Sequence, residues 1–409
     1  MSAAMGGAMS GVVVLDLTRF LSGPHCTLLL AGLGAEVIKI DDPGTGDPAA
    51  GAPPYAGPQG VALERRSARD FGIAYLKRAR GKKSVTLNLK SPEGRSLFLG
   101  LVEKADAVVE NFRPGVAERL GIGYEALRER NPRLVYCALS GFGATGPERA
   151  AKAYDLMTQA AVGLMSVTGP PQGAPSKTGT QLSDTIAGTY AALGVASALL
   201  ERERSGEGQM IDVSMADCLF SMMMDEPLDC YEALGLAPRQ GNRIMRFSPF
   251  NTYAARDGWV AIGAVSLADW HGILKVIERP ELCSDVQMNS VEWRIAHNEG
   301  IDALISTWTR ERPVAEIVAA LARHDVPCSP VRTPREAIDW PQLRARDMVQ
   351  PLQSVHGEDT EVVAAGFPLK FSRSAGGHGA PAPVPGRDTA SVLGLTEGQF
   401  RVLRDRGVV

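Results

Sequence analysis

The chain lacks the residue patterns that mark several large classes of protein. Its six cysteines (Cys26, Cys137, Cys218, Cys230, Cys283 and Cys328) are scattered through 409 residues, with no C-x-x-C pair and no metal-site spacing. Most sit beside apolar neighbours, which predicts buried free thiols in a reducing, cytoplasmic setting. The six histidines form no H-E-x-x-H or related array, so no metal is expected. There is no G-x-x-x-x-G-K-[ST] loop, which disfavours an NTPase. The 43 basic and 46 acidic residues leave a net charge of −3, which excludes the strongly basic balance of a nucleic-acid binder. No apolar run reaches the ~18 residues of a membrane span. The opening MSAAMGGAMSG has neither a basic region nor an apolar core, so no signal peptide is expected and membrane association is not. Hydrophobic content of 44% and charged content of 22% are those of an ordinary globular protein, and the length suggests two domains.

What is present is α/β patterning without internal repeats. Val12–Asp16 is a β-branched run, His25–Gly34 reads as a helix, and Glu36–Asp41 as the next strand, a βαβ unit that predicts a parallel sheet. Further strands are expected at Ser84–Leu89, Ala107–Glu110, Leu134–Ser140 and Gln209–Met215. A helix is expected over Pro92–Lys104, started by Ser91 and Pro92. After Met-rich, irregular residues 218–250, Arg256-Asp257-Gly258 marks a hairpin, and helical patterns run to about His324. Val326–Val331 reads as a return to the first domain. The expected architecture is an α/β fold. A large Rossmann-like parallel-sheet domain is built from residues 1–217 and 326–409, and a smaller α+β domain, residues 225–325, is inserted through linkers.

Three groups of residues invite a functional reading. Gly141–Gly146 (GFGATG) follows a strand and matches G-x-G-x-x-G. However, the segment after it (Glu148–Met165) reads as helix and the acid at Asp41 lies upstream, so dinucleotide binding is disfavoured. The loop is expected instead to bring backbone N–H groups close to a ligand. A dispersed basic set, Arg19, Lys39, Arg80, Lys82, Lys83, Arg113 and Arg119, largely follows strand ends and suits a ligand with several phosphates, although any one of these side chains is more readily read as solvated. Asp184 stands alone in the uncharged stretch Thr178–Leu200, at the start of an Ala-rich helix. A cap shared with Ser183 is the plain reading. The same helix N-terminus favours the ionised carboxylate, which is a usable nucleophile. Asp155 reads as structural, and Lys152 and Tyr154 either hold an anion or face solvent.

Taken together, VLDLTRFLSGPHCTLLLAGLGAEVIKID, KKSVTLNLKSPEGR, VVENFRPGVAERLGIGYEAL, NPRLVYCALSGFGATGP, YDLMTQAAVGLMSVTG, SDTIAGTYAALGVASALLERERSGEGQMIDVSMAD and VPCSPV resemble the class III CoA-transferases along nearly the whole chain. That family also contains the α-methylacyl-CoA racemases. The resemblance implies an interlocked homodimer with coenzyme A or acyl-CoA as substrate, a free carboxylic acid as second substrate, and no covalently bound cofactor at rest. It places the catalytic aspartate at Asp184. It also implies CoA contacts from Arg19, Phe20, Leu21, Arg80, Asn111, Phe112 and Arg119, with Met215 near the site. Asp42 stands where many members have a CoA-contacting Arg, a loss that Arg78 or Lys83 would have to compensate.

A racemase of this family uses a His–Glu pair on one face of the substrate and the Asp on the other. Here those positions hold Tyr154, whose reference pKa of ~10 makes a poor base at neutral pH, and Ser266. Lys152 and Tyr154 match the formyl-CoA transferase type of site, although its glycine-rich flap has no evident counterpart. The expected activity is therefore CoA transfer between carboxylic acids through an aspartyl anhydride and an aspartyl-CoA thioester, with Lys152 and Tyr154 orienting the acids. The alternatives are racemisation and non-catalytic acyl-CoA binding. Arg243 and Arg246 are candidates for a second substrate carboxylate.

Overall fold

A computed structural model describes residues 6–409, and two compact units emerge from it. The first comprises the residues up to Gly163, Thr178–Glu226 and Pro341–Val409; the second comprises Leu164–Lys177 and Pro227–Trp340.

The first unit is organised by a six-stranded sheet of β1 (Val13–Asp16), β2 (Glu36–Asp41), β3 (Lys83–Thr86), β4 (Ala107–Glu110), β5 (Val135–Ser140) and β6 (Met210–Ser214). The order is β3-β2-β1-β4-β5-β6, and every neighbouring pair is parallel. This is the doubly wound order, in which the crossovers change direction between β1 and β4. The strands are nearly continuous apolar runs because both faces are covered. On one face Val14, Val37, Val109 and Cys137 meet Cys26 and Leu30 of helix α1 (Ser22–Gly32), with Ala191 and Val195 from a helix described below. On the other, Leu15, Ile38, Val108 and Tyr136 meet Phe98 and Val102 of α2 (Pro92–Val102), with Leu403 and Val409 from the C-terminal end of the chain. As expected, Ser91 caps α2, accepting the Gly94 N–H at 2.9 Å.

Three further helices complete the frame around the site: α3 (Asp155–Ala161), α4 (Leu182–Ser205) and α5 (Met215–Met223). The expected helix over 148–165 is shorter. Its first residues form a loop that carries Lys152 and Tyr154, and regular structure starts only at Asp155. Helix α4 ends at Gly206, whose φ of +81° closes the last turn. Gly188 lets α4 approach α1, since a Cβ there would lie 2.4 Å from the Ser22 carbonyl oxygen.

The second unit holds a hairpin of β7 (Phe250–Ala254) and β8 (Trp259–Gly263), and helix α6 (Leu267–Val276). Its third strand is β9 (Cys328–Pro330), paired antiparallel to β8. This corrects the expectation that Val326–Val331 rejoins the large domain: its backbone hydrogen bonds are made to the hairpin, and the chain returns to the first unit at Pro341. The second unit also takes in Leu164–Lys177, which lies far from the insertion in sequence. Ser266 caps α6 in a capping box with Asp269.

A cluster of charges is buried beneath the turn after β1. Lys82 Nζ lies 3.0 Å from Asp16, and Lys39 Nζ lies 3.1 Å from both Asp41 and Asp47. Both lysines were expected among the ligand-binding cations; their burial and pairing remove them from that role. Burial works against the Lys39 charge, but Asp41, Asp47 and Asp16 overcome it and push the ammonium above its usual range. Lys39→Met leaves these carboxylates without their central cation. The variant is expected to lose about 3–5 kcal/mol of unfolding free energy, measured by chemical denaturation.

Candidate active site

Asp184 lies in a cavity of ≈ 290 Å³ at the point where the strand order reverses. Arg19, Phe20 and Ser22 enter it from the end of β1, Asn111–Pro114 from the end of β4, and Leu139–Gly141 from the end of β5. Arg149, the Ala151–Tyr154 loop and Met215 complete the lining. Ligands of open parallel sheets bind in this crevice because the loops on either side diverge there.

The Asp184 carboxylate does not cap its own helix. Gln181 holds the N-cap position and makes no side-chain cap. The donors at this end are satisfied from α3: Asp155 Oδ1 accepts the Ser183 N–H and hydroxyl, each at 2.9 Å, while Oδ2 accepts from Gln159 at 2.8 Å. Asp155 therefore takes the capping role expected of Ser183 and Asp184. This frees Asp184, in the first turn of α4, to turn toward Ser22, whose N–H and hydroxyl favour its charged form. Burial raises the Asp184 pKa to about 6, Asp155 adds to the rise, and Ser22 and Arg78 restrain it. The group is ionised at neutral pH yet more basic than a free carboxylate.

The turn from β1 is fixed by side chains. Asp16 accepts the Thr18 N–H at 2.9 Å, and Lys39 donates to the Thr18 carbonyl at 2.7 Å. Asn111 clamps Arg19, accepting its N–H and donating to its carbonyl, both at 2.8 Å. Asp47 accepts the Phe20 N–H at 3.3 Å, and Arg78 Nη1 donates to the Phe20 carbonyl at 2.8 Å. Phe20 sits at φ 67°, a conformation a non-glycine residue rarely adopts. Its half-exposed ring meets Tyr154 edge to face, with centroids 6.3 Å apart.

Of the expected site residues, Asp184, Lys152, Tyr154, Arg19, Phe20, Asn111, Phe112 and Met215 all line this one cavity. Leu21 is buried behind it. Arg119 ends the short helix Val116–Arg119 and is not among the lining residues. Arg80 is a correction: it is buried, donates to the carbonyls of Lys77 and Ala365 at 3.0 and 2.9 Å, and lines a different cavity with Lys370 and His378. The glycine loop is another. Its Gly143 N–H donates to Ser140 Oγ at 3.0 Å and its Ala144 N–H to the Asp212 carboxylate at 2.9 Å, so these two donors serve the loop itself. In the second unit Arg243 is paired with Asp302 at 2.7 Å, which neutralises a candidate for a second substrate carboxylate. Lys83 pairs with Glu36, and Asp42 folds its own loop by accepting from Gly44 at 2.9 Å. Sequence reasoning missed Ser22 and Arg149, and it named Arg78 as a possible CoA contact but not its bond to the Phe20 carbonyl. The Ser-Gly-Pro start of α1 was the available signal for Ser22.

CoA-transferase family III matches residues 9–389. The chain belongs to CoA-transferase family III. The resemblance read from the sequence is thereby borne out, and the chain is an enzyme of the class III CoA-transferase type. Among relatives of this family III member, a succinyl-CoA:mesaconate CoA-transferase from Haloarcula marismortui is 35% identical over 98% of this chain and 100% of its own length. An acetyl-CoA:oxalate CoA-transferase from Acetobacter aceti is 39% identical, covering 84% of this chain and 85% of that one. A crystal structure of a CAIB/BAIF family protein from Brucella suis matches with a TM-score of 0.80 and 31% identity, over 95% of this chain and 98% of that one.

A buried carboxylate whose pKa is raised destabilises the fold wherever it is ionised. The folded value of about 6 lies above the ordinary 3.8, so the penalty is full above pH 6 and vanishes below about pH 4. Asp184→Asn is therefore expected to gain about 1–3 kcal/mol of stability at pH 8. In denaturation curves across pH that gain should disappear as the pH falls through 6 toward 4.

Proposed function

We propose that this CoA-transferase moves CoA from an acyl-CoA thioester to a free carboxylic acid, with Asp184 as the covalent carrier. The observation that carries the reading is a single ionised carboxylate in the switch-point crevice, facing two Ser22 donors and surrounded by cations. Arg19, Arg113, Arg149 and Lys152 line the cavity, and none has an ion-pair partner among the described residues. That charge pattern suits a polyanionic thioester together with an organic acid.

In the proposed sequence a carboxylate oxygen of Asp184 attacks the thioester carbonyl, the C–S bond breaks and CoA thiolate leaves. The thiolate then attacks the aspartyl carbonyl of the anhydride and releases the donor acid, giving an aspartyl-CoA thioester. An acceptor carboxylate attacks this thioester, and the returning thiolate takes the acceptor acyl group and frees Asp184. No step changes an oxidation state or consumes a co-reactant. The Ser22 N–H, at the N-terminus of α1, is placed to stabilise the oxyanion formed on the aspartyl carbonyl. It replaces the glycine loop in that role. Lys152 and Tyr154 orient the two acids, and Arg19, Phe20, Asn111, Phe112 and Met215 contact CoA. Racemisation is disfavoured because Tyr154 stands where the second base is required and Ser266 is committed to a helix cap. The relatives' names support at least one short dicarboxylate among the two acids, and the free cysteines fit a cytoplasmic setting.

Acceptor acid labelled with ¹⁸O should leave one label on the Asp184 peptide per turnover, read by mass spectrometry during exchange from succinyl-CoA or acetyl-CoA. Asp184→Ala should fold and lose activity by at least three orders of magnitude. The wild-type rate should rise through pH about 6 and level off above it. Absence of label from Asp184 in an active enzyme rules out the anhydride.

We further propose that the protein is an interlocked homodimer. Tyr190 and Leu193 of α4 and Phe220 and Met222 of α5 are large apolar side chains exposed on the single chain, which a second copy would cover. Light scattering should give twice the chain mass, and the dimer should persist on dilution to nanomolar concentration. A monomer at micromolar concentration overturns the arrangement.

A further inference from the structure

Arg78 belongs to the short helix Ile73–Arg78, and the sequence offered it only as a possible replacement for the CoA-contacting arginine lost at Asp42. Its Nη1 donates to the carbonyl of Phe20, the residue held at φ 67°. Without this bond that carbonyl has no other partner among the described residues. Every other backbone polar group of Thr18–Phe20 is already held by Asp16, Lys39, Asn111 or Asp47. Two residues past Phe20 the chain delivers the N–H and hydroxyl of Ser22 to Asp184. A left-handed Phe costs on the order of 1–3 kcal/mol and persists only where its surroundings over-determine it. Arg78 and Asp47 are the two side chains that do so, one on each side of the peptide. The same guanidinium lies within electrostatic reach of Asp184.

From this geometry, and resting on the CoA-transfer reading above, we propose that Arg78 is a positioning residue of the reaction: it locks the Phe20 turn so that Ser22 is aligned on the Asp184 carboxylate. Asp184 is faced by Ser22 from α1, Asp155 from α3 and Arg78 from the 73–78 helix. The cavity adds Arg19, Arg113, Arg149, Lys152 and Tyr154. Arg78 is itself faced by Asp47, Asp184, His25 and Lys77. Asp155 and Arg78 therefore act on the nucleophile with opposite sign. Removing the cation raises the pH at which Asp184 ionises, and removing the acid lowers it. The alternative for Arg78 is direct binding of a CoA phosphate, which would help hold the thioester without aligning the nucleophile.

The test compares the wild type with Arg78→Gln, Arg78→Lys and Asp155→Asn, measuring kcat and KM for acyl-CoA from pH 5 to 9. The Asp184 carboxyl is titrated in the same proteins by NMR with ¹³C-labelled aspartate. For Arg78→Gln, kcat should fall about tenfold or more while KM changes less than threefold, and the acidic limb should move up by about half a unit to one unit. Arg78→Lys keeps the charge without the fixed fork of the guanidinium. It should restore the limb and recover kcat only in part. In Asp155→Asn the limb should move down. A normal kcat with a raised KM in Arg78→Gln makes Arg78 a CoA ligand and overturns the proposal, as does an unchanged Asp184 titration. The NMR titration needs no turnover. If the wild type transfers no CoA, the functional reading fails while the Arg78–Asp184 coupling is still decided by the carboxyl shift.

Discussion

The site depends on one constraint: the turn after β1 contributes no hydrogen bonds of its own, so side chains must hold it. The six backbone polar groups of Thr18, Arg19 and Phe20 are met by Asp16, Lys39, Asn111 (twice), Asp47 and Arg78. An orphaned buried amide costs about 1–3 kcal/mol, so the penalty for an alternative turn is greatest at the fully buried Thr18 and smaller at the more exposed Arg19 and Phe20. Apart from Arg78, which comes from the helix Ile73–Arg78, the partners come from β1, β2 and β4 or the segments just beyond them, so sheet order and turn geometry specify each other. Burying Asp16, Lys39, Asp41, Asp47 and Lys82 to achieve this is expensive, since desolvating each ion costs several kcal/mol and mutual attraction roughly repays it. The return is geometric: the carbonyls and amides that lead to Ser22 are placed to within a hydrogen bond.

That placement explains how one carboxylate can be both buried and reactive. Burial alone would push the Asp184 pKa up without restraint, and full solvation would leave it no more basic than an ordinary carboxylic acid. The two Ser22 donors and Arg78 oppose burial and the neighbouring Asp155, and the balance falls at about 6. A carboxylate at that value is charged at neutral pH and somewhat more nucleophilic than an ordinary carboxylate near 4. On the proposed mechanism it is also close enough to such acids for anhydride formation to run in both directions, as transfer between acids requires. The same surplus basicity is strain carried by the native state, held by packing between α1 and α4 that depends on Gly188.

Much of the frame was legible because short buried strands declare themselves. Glu36–Asp41 and Ala107–Glu110 occur as read, and Ser91 caps its helix as its position before Pro92 implied. Asp184 and the Lys152–Tyr154 pair, recognised by resemblance, do share one cavity. What failed to show were pairings between charges distant in the chain. Lys39 and Lys82 look like ligand-binding cations in the sequence because nothing local marks Asp16 or Asp47 as their partners. Arg80 fails for the same reason, since its carbonyl acceptors include Ala365, far along the chain. The cap on α4 was assigned to the nearest residues, Ser183 and Asp184, whereas the carboxylate that satisfies that end comes from Asp155, with which Ser183 is paired across 28 positions. Local propensity sees the unsatisfied donor and not the acceptor that arrives from another element. The strand at Cys328–Pro330 likewise depends on which sheet offers an open edge.

The glycine-rich hexapeptide shows why topology outranks motif here. GFGATG has the spacing of a dinucleotide loop and sits in a sheet of the matching order, yet it follows β5 rather than β1. A phosphate loop works when it leads from the first strand into a helix whose N-terminus faces the crevice. In this chain the segment after β1 is Leu17–Leu21, and the helix whose N-terminus faces the crevice is α1. Its first residue, Ser22, turns that end onto Asp184. The electropositive helix end that would hold a pyrophosphate in a dinucleotide fold thus faces the carboxylate of Asp184, the proposed nucleophile. The cations Arg19, Arg113, Arg149 and Lys152 line the cavity instead, where the proposed reading has them meet a large anion. A doubly wound sheet fixes where a ligand crevice opens, and in this chain the first turn of α1 offers that crevice to a carboxylate of the protein itself rather than to a phosphate loop.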